Sequence, residues 1–276
     1  MDCQRLTSLK VISVRRSFNK MRAVTHTISR KMLLGLTGLL GLLAVWWVLT
    51  VPFVSSDSLA ARFSPTASLQ ALGAMLAEGE IWHHMGVSLK RVLVGLAIAV
   101  VIGVPLGLVL GWWQGLNDVL SPSMQFLRMI SPLSWMPIAV MIFGIGDQPV
   151  YFLLGYAAVW PVMLSTLSGV RAVDRRWLEV GQSLAASRWE TIRHIVIPAI
   201  TAHILTGVRL AVGILWIVLV PCEMLGVTAG LGYYILDTRD RLDYQALMAT
   251  IVVIGVLGFL LDWTLRTLCQ QRKATS

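Results

Sequence analysis

The chain has 276 residues, 56% of them hydrophobic and only 13% charged, where ordinary soluble domains carry about 25% charged residues. With a mean hydropathy of +0.73, no soluble core of this length hides so much apolar side chain, so an integral membrane protein is expected. A net charge of +9 would suggest nucleic acid in a soluble chain; here the cations cluster at the ends and in one loop, as orienting charges do in membrane proteins, and no nucleic-acid partner is expected.

Residues 1–31 hold Arg5, Lys10, Arg15, Arg16, Lys20, Arg22, Arg30 and Lys31 against one acid, Asp2. The apolar run that follows, 32–54, is too long for the hydrophobic region of a signal peptide. It reads as an uncleaved first span with a basic cytoplasmic tail before it. Five more runs approach the roughly 20 residues that a bilayer core requires: 92–113, 129–146, 149–170, 203–224 and 244–261. Their backbones must satisfy their own hydrogen bonds in lipid, so they are helices. No alternating ten-residue strands repeat, which argues against a barrel. With the N-terminus inside, parity returns the loop after span four to the cytoplasm. That loop carries Arg171, Arg175, Arg176, Arg188 and Arg193, as the positive-inside rule requires. The C-terminal tail, with Arg272 and Lys273, also ends inside. The stretch 112–122 should then be a cytoplasmic loop, although it has no Lys or Arg, and Lys90 and Arg91 sit awkwardly at the outer start of span two.

In the long outer loop 55–86, Ser64-Pro65-Thr66 marks a helix start, with Ser64 as cap and Pro65 at the first helical position. Span two spaces Gly95, Ala99, Gly103, Gly107 and Gly111 four apart, a smooth stripe for close helix packing or for sliding; Pro105 lies inside it. Pro132, Pro137 and Pro149 break the region around span three, and Gly144-Ile145-Gly146 reads as a bend at a helix end. The segment 179–198 is the one long polar, charge-mixed stretch between apolar runs. As a single helix it would gather Glu179, Ser183, Ser187 and Glu190 on one side, and it needs a partner to lie against.

Arg209 falls inside span five, where an unpaired Arg costs about 2.5–3.5 kcal/mol on insertion scales. It reads either as a gate or anion contact, or as the partner of a carboxylate such as Glu179 or of backbone carbonyls. Glu223 is expected in interfacial water at the outer end of that span, and Asp262 and Arg266 can pair four residues apart. Cys3, Cys222 and Cys269 have no metal or redox spacing. His83 and His84 are adjacent, which points them apart on a helix, so no metal is assigned. No Walker A, nucleophile-elbow or zinc-protease motif occurs, so the chain is expected to be no enzyme and to hold no cofactor.

The spacing Glu179-Val180-Gly181, Ala185, Ile195 and Ile197-Pro198 resembles the EAA loop of bacterial ABC importer permeases. Every interval matches; Val180 and Gly181 stand where that pattern has two alanines, Ala185 where it has glycine, and Ile197 where it has leucine. The resemblance extends over roughly 65–268. It is carried by RVLVG at Arg91, IGVPLGLVLG at Ile102, QFLRMISPLSWMPIAVMIFGIG at Gln125 and LTGVRLAVGILWIVLVPCEMLG at Leu205, all similar to the nitrate, sulfonate, taurine and bicarbonate subfamily.

That resemblance implies an all-α, six-span permease of the type I importer fold. Its core is 87–268, and its cytoplasmic coupling loop, 171–198, lies between spans four and five; a short cytoplasmic tail, 269–276, ends it. It implies a homodimer in the bacterial inner membrane, with both termini cytoplasmic. The partners implied are ABC ATPase subunits, which bind the ATP and Mg, and an extracytoplasmic solute-binding protein. Glu179, Val180, Gly181, Ala185, Ser187, Arg188, Ile195 and Pro198 become the coupling residues. The family's Gly at the Ala185 position permits a tight turn; since alanine adopts positive φ at a cost, the turn is expected in ordinary α geometry or displaced by one residue. The broken third span lines the path in this family, making Arg128, Ser131, Ser134 and Trp135 pathway candidates, with Arg128 either attracting an anion or snorkelling to the interface. An ATP-independent secondary transporter or channel is the alternative; it would need a midplane charge network, which only Arg209 approaches.

Overall fold

A computed structural model describes residue 35, residues 37–50 and residues 62–275, with side chains to residue 267. The expectations for the tail 1–31, for the ends of the first run and for the side chains of 269–276 lie outside the described residues. The chain divides into two compact units, Met1–Ser68 and Leu69–Ser276. In the first, α1 (Thr37–Thr50) is a short apolar helix, and the Trp46 indole Nε1 donates to the Phe63 carbonyl at 3.0 Å. Ser64 caps as its position suggested: its Oγ accepts from the Ala67 N–H at 3.4 Å, and α2 (Pro65–Glu78) starts on Pro65.

Gly79, at φ 86, turns the chain directly from α2 into α3 (Glu80–Trp112). There follow α4 (Gln114–Met129), a 3-10 turn (Pro132–Trp135), α5 (Met136–Phe143) and α6 (Asp147–Arg171). A loop holds α7 (Arg175–Ser183) and α8 (Arg188–Thr191), which runs through a π turn (Ile192–Val196) into α9 (Ile197–Met224); α10 (Leu231–Asp240) and α11 (Tyr244–Thr275) complete the fold. Among the described residues four helices are long and apolar enough to cross a membrane, or five if α4 and α5 form one broken span.

The core is a close contact of α3, α6 and α9. The glycine stripe makes it possible: a Cβ on Gly95 would lie 2.7 Å from the Leu154 Cβ, on Gly107 2.6 Å from the Met163 carbonyl, and on Gly111 2.6 Å from the Val170 Cβ. Ala99 is fully buried in the same seam. Gly207 of α9 meets Ser165 and the Pro161 carbonyl of α6 in the same manner. Lipid supplies little hydrophobic drive between helices, so backbones this close gain their stability from van der Waals contact. Val92, Val150, Leu153, Leu154, Leu215 and Leu219 fill the remaining space.

Three expectations change. The run 129–146 is not one helix: α4 and the Pro132–Phe143 segment meet at 85°. The cause is Pro132, which forces the residue before it out of the helical region; Ser131 has ψ 132 and Ile130 ψ 124. The stretch 112–122 is not a loop but one extended residue, Trp113, followed by α4. Leu116, Val119, Leu120 and Leu127 give this helix an apolar stripe at three-to-four-residue spacing. Finally, α3 begins twelve residues before the apolar run and carries straight through Arg91, because that charge is neutralised inside the protein. The bend at Gly144 (φ 77) and Gly146 (φ 133) is present, closing α5 and opening α6.

Candidate coupling loop and a buried charge network

The segment 179–198 does not form the single helix its polarity suggested. Asp174 caps α7 by accepting from the Arg176 N–H at 3.0 Å. At the other end of α7 the Ala186 N–H donates to the Gly181 carbonyl (3.0 Å) and the Ala185 N–H to the Gln182 carbonyl (2.9 Å). These are the paired bonds of a Schellman turn, whose C′ position is normally glycine in left-handed geometry. Ala185 occupies it at φ 52. The expected escape, an ordinary α conformation or a turn moved by one residue, is therefore not taken; the alanine bears a left-handed cost of about 1–2 kcal/mol.

Ser187 then opens α8 with a capping box. Its Oγ accepts from the Glu190 N–H, and the Glu190 carboxylate accepts from the Ser187 N–H at 2.8 Å, satisfying two helix-end donors reciprocally. The π turn has a cause in Pro198, whose ring would clash with the carbonyl four residues back; the helix widens, and the Ile197 N–H donates to Ile192, five residues back. Gly181 lets the two arms of the loop touch, since a Cβ there would lie 2.9 Å from the Ile195 Cδ1. Glu179 and Arg188 stay exposed. So do large apolar groups: Trp177 (63%), Val180, Leu184 (77%) and Trp189. Trp177, Val180 and Leu184 share one face of α7 at helical spacing.

The second site was missed by sequence reasoning. Glu223, expected in interfacial water, is 0% exposed. Its carboxylate accepts from Arg91 Nη1 (2.7 Å), from the Ser88 hydroxyl (2.8 Å) and from the Gly232 N–H (2.9 Å). Arg91, itself buried, also donates through Nη2 (2.5 Å) and Nε to Asp147 and through Nη1 to the Ala229 carbonyl (2.6 Å). Ser88 accepts from the Leu231 N–H, and His84 Nδ1 accepts from the Gly230 N–H at 3.0 Å. Backbone groups of four successive residues, 229–232, are thus held by side chains of α3 and α9. Gly230 (φ 121) is required there, since a Cβ would sit 2.5 Å from the Glu223 carboxyl carbon. One sequence signal was available: Arg91, Asp147 and Glu223 end three apolar runs that parity places at the same membrane face, with opposite signs.

The pathway candidates cluster on the α4–α5 elbow, but in different environments. Arg128 is exposed and donates to Gln125 Oε1 at 3.0 Å; Ser131 and Ser134 are exposed. Trp135 is half-buried against Tyr156 of α6, with ring centres 5.9 Å apart, and the Tyr156 hydroxyl donates to the Leu127 carbonyl at 2.6 Å. Arg209 pairs with a carboxylate, but with Asp262 of α11 (3.1 Å) rather than Glu179; Asp262 also takes Arg266 at 2.6 Å, as the four-residue spacing suggested.

The described residues form a helical membrane protein with a capped, apolar-faced loop between two of its candidate spans. Its fold matches a permease chain in the inward-facing MetNI methionine ABC transporter, at a TM-score of 0.59, 18% identity, and coverage of 71% of this chain and 95% of that one. Residues 99–273 match the model of the binding-protein-dependent transport system inner membrane component, and the chain belongs to that family. It is similar to the taurine transport system permease protein TauC of Escherichia coli (strain K12), 32% identical over 90% of each chain. It is also similar to the bicarbonate transport system permease protein CmpB of Synechococcus elongatus, 33% identical over 83% of this chain and 85% of that one. The protein is thus the membrane permease of an ABC importer, and ATP is handled by a separate ATPase; binding-protein-dependent transport implies that ATPase and a solute-binding protein as partners.

Proposed function

We propose that this permease imports a small oxyanion of the taurine, sulfonate or bicarbonate type, working as a homodimer. The transport systems of the relatives at 32% and 33% identity support the substrate class. The observation that carries the coupling assignment is the pre-formed α7–α8 loop, which presents Trp177, Val180, Leu184 and Trp189 outward among exposed charges. Such a surface suits an apolar cleft on an ATPase.

Six spans result if α1 belongs to the first and α4–α5 form one broken span, with both termini cytoplasmic. The coupling loop then faces the ATPase, and the Arg91–Asp147–Glu223 network lies toward the binding protein. Each coupling residue has a task. Glu179 and Arg188 meet polar groups of the ATPase, and Val180 enters its cleft. Gly181 and Ile195 hold the two arms together, Ala185 makes the turn, Ser187 caps α8, and Pro198 widens the helix into α9. Closure of the ATPase dimer on ATP pulls this rigid loop and turns the permease outward, and the docked binding protein releases its solute. The solute then passes the α4–α5 elbow, where Arg128, Ser131, Ser134 and Trp135 line its route; hydrolysis resets the inward-facing state. Arg209, neutralised by Asp262, is given no gating task.

The test is extraction of the tagged chain from native membranes in mild detergent, with mass spectrometry of co-eluting proteins and of the small molecule carried by any binding protein. An ATPase and a binding protein loaded with a sulfonate or bicarbonate are expected. A dimer of this chain eluting alone would favour the ATP-independent transporter, and a binding protein loaded with a cation or neutral sugar would overturn the substrate class.

A further inference from the structure

Two guanidinium groups share one carboxylate where α9 and α11 meet. Arg209 and Arg266 both reach Asp262 through Nε, at 3.1 and 2.6 Å. The trio carries one positive charge in excess, and its members are 39%, 56% and 39% exposed in the order Arg209, Arg266, Asp262. Both contacts use Nε, and the remaining Nη donors of a guanidinium match the two oxygens of a bidentate oxyanion.

Depth places the trio. Asp262 directly follows the last apolar run of the chain, 244–261, which at about 1.5 Å per residue is close to one hydrocarbon thickness. It therefore sits at the level where headgroups begin, and Arg209 is drawn to that level by its pair. The surroundings are not those of an aqueous path. Val256, Phe259, Leu260 and Trp263 on α11 and Leu210 on α9 are all exposed and apolar, and Trp263 is of the kind that marks the membrane interface. The seam is also rigid: the Trp216 indole of α9 donates to the Ile254 carbonyl of α11 at 3.1 Å, and Gly258 lies against that ring.

We infer that the Arg209–Asp262–Arg266 cluster binds the phosphate of an anionic phospholipid, with the acyl chains lying along the exposed apolar face of α11. A basic cleft between transmembrane helices, open to lipid and flanked by aromatic side chains, has the chemistry that recognises such a headgroup. Asp262 competes with the phosphate for both arginines and leaves the trio one positive charge, enough for one phosphodiester.

The experiment uses the intact permease–ATPase complex in nanodiscs of phosphatidylethanolamine with and without phosphatidylglycerol. Retained lipid is read by native mass spectrometry and thermal stability by unfolding midpoint. The wild-type complex is expected to retain phosphatidylglycerol and to melt higher in its presence. Retention should fall roughly fivefold in Arg209→Gln or Arg266→Gln and roughly thirtyfold in the double variant, at about one surface-charge increment per arginine. Arg266→Lys should restore most of it, and Asp262→Asn, which frees both cations, should raise it. Arg239→Gln, in the exposed tip of α10, should change nothing. Equal retention in the double variant and the wild type would overturn the inference, as would a lack of response to Asp262→Asn should the double variant not assemble. Inorganic phosphate or taurine raising the midpoint in phosphatidylethanolamine alone as much as phosphatidylglycerol does would reassign the cluster to a free anion.

Discussion

At the scale of single residues, two positions bear costs that the fold imposes. Ala185 holds a left-handed conformation at φ 52 so that α7 can end in a Schellman turn. Ala185→Gly removes the Cβ clash and should stabilise the loop by about 1 kcal/mol, read as slower amide exchange at Ala186 and Ser187; unchanged exchange would mean the turn is not strained. Glu223 is the opposite case, a buried charge kept stable by Arg91, Ser88 and the Gly232 N–H. Glu223→Ala leaves Arg91 with Asp147 as its one carboxylate partner and strands the Gly232 N–H and the Ser88 hydroxyl, so a loss of about 3–5 kcal/mol is expected. Thermal unfolding of the detergent-solubilised protein checks it, with Arg91→Ala losing a similar amount. A loss under 1 kcal/mol would show that water reaches this site.

At the scale of elements, the proposed coupling loop is held by local devices rather than by a core. The Asp174 cap, the Schellman turn and the Ser187–Glu190 box all lie within 174–190, so its form is set before any partner arrives. Ser187→Ala should cost about 1 kcal/mol of local stability and lower solute-stimulated ATP hydrolysis while the complex still assembles. Trp177→Asp together with Leu184→Asp goes further, putting charge on the docking face; here co-purification of the ATPase should be lost with the permease fold intact by circular dichroism. Much of this loop was legible: its polarity and the Pro198 spacing are local. A turn between two short helices was implied by the resemblance; its left-handed geometry at Ala185 was not legible, because a C′ alanine gives no hint of the turn that glycine would have announced.

At the scale of the whole molecule, sidedness follows from the arrangement of spans. In the proposed six-span arrangement with cytoplasmic termini, the tip of α7 and the tip of α10 would lie on opposite faces. In a chain with Cys3, Cys222 and Cys269 replaced by serine, cysteine placed at Ser183 should react with an impermeant maleimide only in inside-out vesicles, and cysteine at Arg239 only in intact spheroplasts. Labelling of both from one side would remove the six-span topology and move the charge network to the ATPase face. The charge network joins α3, α6, α9 and the segment before α10 at one end of the core.

Composition and periodicity alone were enough to show a helical membrane protein, where its apolar runs fall, that Gly95 to Gly111 form a smooth small-residue stripe, and which loop resembles a coupling segment. Those properties are periodic or local, and a helix in lipid must satisfy its own backbone wherever it goes. Only the tertiary structure decided the partners of the charges. Arg91 with Asp147 and Glu223, and Arg209 with Asp262, are 56, 132 and 53 positions apart. No periodicity links residues so distant; the pairs exist because glycine-spaced helices approach closely enough to bring them within reach.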